Sequence, residues 1–249
     1  MEAYTQFARV YDMFMDNVPY EEWRDYLLEI LHQEGIRDGL VLDLGCGTGV
    51  MTRLLAQVGY DMIGVDASEE MLMAAREESM EYPGILYLLQ DMREFELYGT
   101  VRAIVSVCDS VNYVLTEDDL RSVFALANNY LDPGGVFIFD MNTLYKYREL
   151  LGERTFCENR EEGSFIWENY FDEETGINQY DLTLFIREED GRYGKYEETH
   201  VQRAYDMDTV QRLIEEVGMK YEGAFRVPDG GVPESDTERI YIVAREQGK

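Results

Sequence analysis

The chain has 249 residues, 45% of them hydrophobic, enough for one α/β domain with an insertion around a real core. Acidic residues outnumber basic ones 51 to 22, for a net charge of −29, and lysines and arginines are scattered; a phosphate backbone would be repelled, so DNA is not an expected partner. Every apolar run is shorter than a membrane span, and the N-terminus lacks the basic and apolar regions of a signal peptide, so a cytosolic protein away from membranes is expected. The acidic excess suits cationic or neutral small substrates, and equally suits a solvated face that keeps the protein dispersed. Cys46, Cys108 and Cys157 are widely spaced and odd in number, which supports neither a disulfide framework nor a metal site.

In chain order, Trp23, Leu27, Ile30 and Leu31 recur at helical spacing and predict an amphipathic helix over residues 20–34. Residues 40–44 form a short buried strand, and Met51, Leu54, Leu55 and Val58 mark one face of the next helix. A second strand is expected over 60–65 and a helix near 69–78 with Ser68 as its cap. Strands three and four are expected over 85–89 and 101–107. A helix opens after Thr116 with Leu120, Val123, Phe124 and Ala127 on its core face. Pro133-Gly134-Gly135 predicts a turn into a fifth strand, 136–140.

Strand–helix alternation up to Asp140 predicts a parallel, doubly wound sheet. The pattern then changes. Residues 154–204 are rich in aromatic and β-branched side chains, with turn signals at Glu162-Gly163, Thr175-Gly176 and Asp190-Gly191. An antiparallel insertion of about four strands follows from this. A helix on Val210, Leu213, Ile214 and Val217 and two strands, near 220–227 and 239–244, complete the core. The expected division is a core over 1–142, an insertion over 143–204 that caps the cleft or builds an oligomer surface, and 205–249 returning to the core. Nothing in the sequence sets an oligomeric state.

The stretch Val41-Leu42-Asp43-Leu44-Gly45-Cys46-Gly47-Thr48-Gly49 ends a strand in a glycine turn before a helix. Gly45 and Gly47 permit a tight turn and close approach of a ligand, and the helix N-terminus offers free N–H groups. Asp66 ends the adjacent strand, where a carboxylate accepts both hydroxyl protons of a ribose. A dinucleotide site wants G-x-G-x-x-G/A, and Val50 stands where its third small residue belongs.

The stretch VLDLGCGTG resembles motif I of the class I S-adenosylmethionine-dependent methyltransferases. Four further segments resemble that family's motifs in order: Gly64 to Leu72, Gln90-Asp91-Met92-Arg93, Cys108 to Tyr113, and Leu131 to Gly135. Phe7 to Asp12 and Glu198-Thr199-His200-Val201-Gln202-Arg203-Ala204-Tyr205 are similar to a bacterial small-molecule subgroup with a β insertion after strand five, which includes sugar N-methyltransferases and glycine/sarcosine-type enzymes. The resemblance implies a Rossmann-like seven-stranded sheet and S-adenosyl-L-methionine as cofactor. It implies that Gly45, Gly47, Asp66 and Ala67 hold the cofactor, that Asp91 and Met92 meet its adenine, and that Cys108 lies beside its sulfur. Met71 joins that set, although methionine at helical spacing is commonly core. Asp43 orders the glycine loop, and Tyr11 helps cover the cofactor.

The expected reaction is in-line transfer of the methyl group to a small-molecule N or O acceptor, governed by positioning and without a metal. A base is needed only if the acceptor holds its proton tightly. His200 and Tyr113 are the candidates for that role; a strand-paired histidine is the plainer reading of His200. Trp167 and Tyr170 are wall candidates that plain packing explains as well. A nicotinamide-dependent oxidoreductase and a non-catalytic cofactor-binding protein share the turn and the acid. Methylation of tRNA or protein is left open, since no motif excludes it.

Overall fold

A computed structural model describes residues 4–248. Two helical turns, Phe7–Arg9 and Tyr11–Phe14, precede α1 (Tyr20–Gln33) and β1 (Leu40–Leu44). Strand–helix alternation follows through α2 (Val50–Gln57), β2 (Asp61–Asp66), α3 (Glu69–Glu78), β3 (Leu86–Leu89), β4 (Val101–Ser106), α4 (Glu117–Tyr130) and β5 (Leu131–Asn142). The inserted strands are β6 (Thr155–Asn159), β7 (Gly163–Asp172), β8 (Ile177–Arg187) and β9 (Tyr193–Arg203). The chain closes with α5 (Met207–Glu216), β10 (Met219–Arg226) and β11 (Arg239–Glu246).

The expected α/β architecture is present. Seven strands order as β10-β11-β5-β4-β1-β2-β3, and four more as β6-β7-β8-β9. β1 pairs in parallel with β2 and β4, whereas β11 runs antiparallel to β5 and β10. Both faces of the large sheet are covered, so its strands are apolar on both sides. Leu42 and Leu44 face a cluster with Phe124, Leu213 and Ile214, while Val41 faces one with Leu27, Leu31 and Leu55. The helices bury the faces that their spacing assigns: Val210, Leu213 and Ile214 of α5 are fully buried. Cutting one such leucine to alanine costs about 2–5 kcal/mol. Ser68 and Thr116 cap α3 and α4 by accepting from Met71 N and Asp119 N.

Three features depart from the sequence reading. The turn expected at Pro133-Gly134-Gly135 lies inside β5: Val101 pairs with Leu131 and Ala103 with Val136, so the intervening residues bulge out of one continuous strand. A π-helical turn, Lys146–Leu151, joins β5 to the insertion. The N-terminal turns pack on the insertion: Val10 and Phe14 share a buried cluster with Leu182, Leu184 and Ile186 of β8. No helix among the described residues is long and apolar enough to cross a membrane.

Candidate cofactor and methyl-transfer site

The carboxyl ends of β1 to β4 surround a cavity of about 910 Å3. Its floor is the glycine turn. Gly45 N and Cys46 N donate to Val65 O at 2.8 and 3.0 Å, tying the turn to β2. Gly45, Gly47 and Gly49 all have positive φ, which suits glycine. A Cβ on Gly45 would lie 2.6 Å from Ser110 Cβ, whereas one on Gly47 would meet nothing within 4 Å. Gly45 is therefore required for packing, and Gly47 leaves open space for a ligand.

Asp66 bridges the two motifs. Its Oδ2 accepts from Gly47 N at 2.8 Å and its Oδ1 from Ser68 N at 2.9 Å. Burial raises its pKa against those bonds. Asp43 accepts from Thr52 Oγ1 at 2.6 Å through Oδ2, while its buried Oδ1 has no partner. Burial pushes Asp43 up to about 7, with the Asp66 charge adding to the effect. Two carboxylates, one with an unused oxygen, on a cavity floored by a side-chain-free glycine turn fit a ligand that combines ribose hydroxyls with positive charge. S-adenosyl-L-methionine has both, and Asp66, Asp43 and the turn are the groups that would hold it.

Every expected cofactor residue borders this one cavity. Ala67 and Met71 follow Asp66; Asp91 and Met92 follow β3; Cys108 follows β4; Tyr11 enters from the N-terminal segment. Asp91 is already engaged, because Arg93 Nε donates to Oδ1 at 2.9 Å and Nη2 to Oδ2 at 2.5 Å. That pairing lowers its pKa.

Beyond β4 the backbone is strained. Cys108 and Asp109 sit at φ 61° and 54°, a region non-glycine residues enter at a cost of about 1–3 kcal/mol each. Asp140 at the end of β5 holds them there. Its carboxylate accepts from Cys108 N at 3.2 Å and Asp109 N at 2.8 Å, and it is paired with Arg239. Arg239 also meets Asp109 Oδ1 at 2.5 Å, so buried Asp140 and part-buried Asp109 share one guanidinium.

Tyr113 borders the cavity, and its hydroxyl is fully engaged. It contacts Tyr4 Oη at 2.7 Å, Tyr180 Oη at 2.5 Å and His200 Nδ1 at 3.1 Å. His200 does not border the cavity. It is buried, stacked on Tyr180, with Nε2 3.4 Å from Glu198 Oε2 and without hydrogen-bond alignment. Trp167 packs against Phe156 and Tyr180, Tyr170 is half exposed, and neither borders the cavity. Tyr4 and Tyr20 border it without having been expected to. Their placement depends on contacts far apart in the chain, which local spacing does not encode.

The chain resembles known proteins along its whole length. The family pattern described as a methyltransferase domain matches residues 41–135. The protein carrying the methyltransferase name YqeM from Bacillus subtilis is 31% identical over 97% of this chain and 96% of its own. The crystal structure of an S-adenosylmethionine-dependent methyltransferase from Clostridium acetobutylicum superposes with a TM-score of 0.88 at 29% identity, covering 99% of this chain and 100% of that one. The dTDP-3-amino-3,4,6-trideoxy-alpha-D-glucopyranose N,N-dimethyltransferase of Streptomyces venezuelae is 30% identical over 53% of this chain and 56% of its own. The chain belongs to the class I S-adenosylmethionine-dependent methyltransferases, enzymes for which S-adenosyl-L-methionine is the cofactor.

Proposed function

We propose that this cytosolic enzyme methylates a nitrogen or oxygen of a small molecule. The observation that carries this reading is the aromatic wall of the cavity. Tyr4, Tyr11 and Tyr20 line it together with the glycine turn and Cys108, so that the space beside the cofactor residues is bounded by phenols suited to a small polar acceptor. The net charge of −29 further disfavours a nucleic acid. The likeness to an amino-sugar N,N-dimethyltransferase supports the same class of acceptor.

When bound, the cofactor supplies an electrophilic methyl group whose sulfur leaves without needing a proton. The remaining demand is removal of the acceptor's proton. With the His200 proton on Nε2, Tyr113 can donate to His200 Nδ1 and accept from Tyr4, whose hydroxyl then keeps free lone pairs. Glu198 beside Nε2 favours the proton on that nitrogen and leaves Nδ1 as the acceptor. A proton leaving the acceptor can therefore pass through the phenols to His200 and form an imidazolium facing a carboxylate. Burial raises the Tyr113 pKa, so the phenol works as a relay and not as a resident phenolate.

The test is release of S-adenosylhomocysteine with labelled cofactor and a panel of amino sugars, amino acids, phenols and thiols, run beside bulk tRNA and protein. Turnover on an amine or hydroxyl supports the reading, with His200→Gln about 100-fold slower or worse. Turnover confined to tRNA or protein overturns it.

A further inference from the structure

Among the described residues, none that borders the cavity comes from the insertion; all lie between Tyr4 and Asp119. The insertion nevertheless grips the N-terminal segment that supplies Tyr4 and Tyr11 to its wall. Glu198 of β9 is 3% exposed, and its carboxylate accepts four backbone N–H groups in succession. Tyr4 N donates to Oε2 at 2.8 Å, and Thr5, Gln6 and Phe7 donate to Oε1 at 3.1, 2.7 and 2.9 Å. The Thr5 hydroxyl adds a bond at 3.0 Å. Burial opposes ionisation of Glu198, but His200 and these donors outweigh it. The adjoining turns rest on the inner face of the inserted sheet through Val10 and Phe14. The segment also touches the cofactor-binding core: the Phe7–Arg9 turn packs beside α3, Ser68 Oγ donates to Tyr4 O at 3.0 Å, Thr48 Oγ1 to Asp12 Oδ1 at 2.6 Å, and Tyr4 meets Tyr113.

We propose that Glu198 is a positioning residue whose carboxylate locks the N-terminal segment across the cofactor cavity, so that the insertion governs cofactor exchange without touching the cofactor. The segment bridges the insertion and the core, and Glu198 makes the densest set of hydrogen bonds to it. A cofactor beneath Tyr4 and Tyr11 leaves when that contact opens. With the carboxylate in place, four successive N–H groups are satisfied at once, which no single exposed ion pair could do. Arg9 and Glu188 form such an exposed pair on the same segment, 3.1 Å apart, and provide the control. The proposal rests on the cofactor and not on the identity of the acceptor.

The test is the dissociation rate of radiolabelled S-adenosylhomocysteine from the full chain, chased with excess unlabelled compound. Glu198→Gln should release it at least tenfold faster than wild type and expose the Arg9–Val10 bond to trypsin sooner. Glu188→Gln should stay within twofold of wild type. Gln6, at φ −82°, accommodates proline, and Gln6→Pro removes one N–H from the grip while leaving the inserted sheet intact. It should also speed release, and should add little when Glu198→Gln is already present. A Glu198→Gln protein that melts cooperatively and releases S-adenosylhomocysteine at the wild-type rate overturns the proposal. If Glu198→Gln does not fold, Gln6→Pro decides: unchanged release overturns, faster release supports. Failure of wild type to bind S-adenosylhomocysteine at all would instead count against the cofactor assignment.

Discussion

Gly45 and Gly47 lie two residues apart in one turn, and adding a single methyl group to each should have different consequences. Gly47→Ala forces alanine to φ 54° but meets nothing within 4 Å. Left-handed alanine costs about 1–2 kcal/mol, equivalent to roughly 2–8 °C in Tm for a domain of this size. Gly45→Ala carries the same strain at φ 78° and drives its Cβ to 2.6 Å from Ser110 Cβ and 2.8 Å from Oγ. Ser110 cannot swing away freely, because its hydroxyl donates to Gly45 O at 3.1 Å and Val107 O at 3.0 Å. Overpacking of this kind adds about 1–3 kcal/mol. Scanning calorimetry should therefore place Gly45→Ala well below Gly47→Ala in Tm. Titration with S-adenosylhomocysteine should show the milder variant, Gly47→Ala, losing at least about tenfold in affinity, since its methyl enters the ligand's space; tenfold corresponds to about 1.4 kcal/mol. Equal melting of the two variants, or wild-type binding by Gly47→Ala, would refute this account of the turn.

Other consequences are as concrete. Asp66→Asn keeps the shape but removes the charge that would accept ribose hydroxyls, and should weaken S-adenosylhomocysteine binding by about 1.5–3 kcal/mol, read by calorimetric titration. Asp43, pushed up to about 7, carries a proton part of the time near neutrality; a cationic ligand favours its ionised form, so binding should release protons at pH 7 and strengthen between pH 6 and 8, which titration in buffers of different ionisation enthalpy detects. Glu198 has the opposite sign: held at about 2, below the usual carboxylate range, it contributes stability that is complete above about pH 5 and fades as pH falls toward 2. Acid unfolding of Glu198→Gln should lack this component, at most about 3 kcal/mol. Arg239→Ala strips the shared partner from Asp109 and Asp140 and should cost about 3–5 kcal/mol in denaturant unfolding at pH 7.

The core was legible because its signals are local. A short apolar strand buried on both faces, a glycine turn and a capped helix are each written in a few neighbouring residues, so β1, α2, β2 and α3 fall where the pattern puts them. The insertion showed itself the same way, through turn residues at Gly163, Gly176 and Gly191. The same locality brought Asp43, Gly47, Asp66 and Asp91 to one cavity. What spacing missed has long-range causes. β5 absorbs an apparent turn because β4 pairs on both sides of the bulge. The residues before Tyr11 carry no periodic signature; their position is set by Glu198, more than 190 residues away. Tyr4 reaches the cavity for the same reason, and His200 stands behind Tyr113 because β9 is the edge of a separate sheet.

The confinement of the cavity border to residues 4–119 divides the chain into two uneven trades. The first half lines the cavity, while Asp140, Tyr180, Glu198, His200 and Arg239 of the second half support it from behind. The surfaces of β6 and β7 are thus open to remodelling by evolution or by a protein engineer. Libraries confined to residues 155–172 should therefore leave S-adenosylhomocysteine binding unchanged.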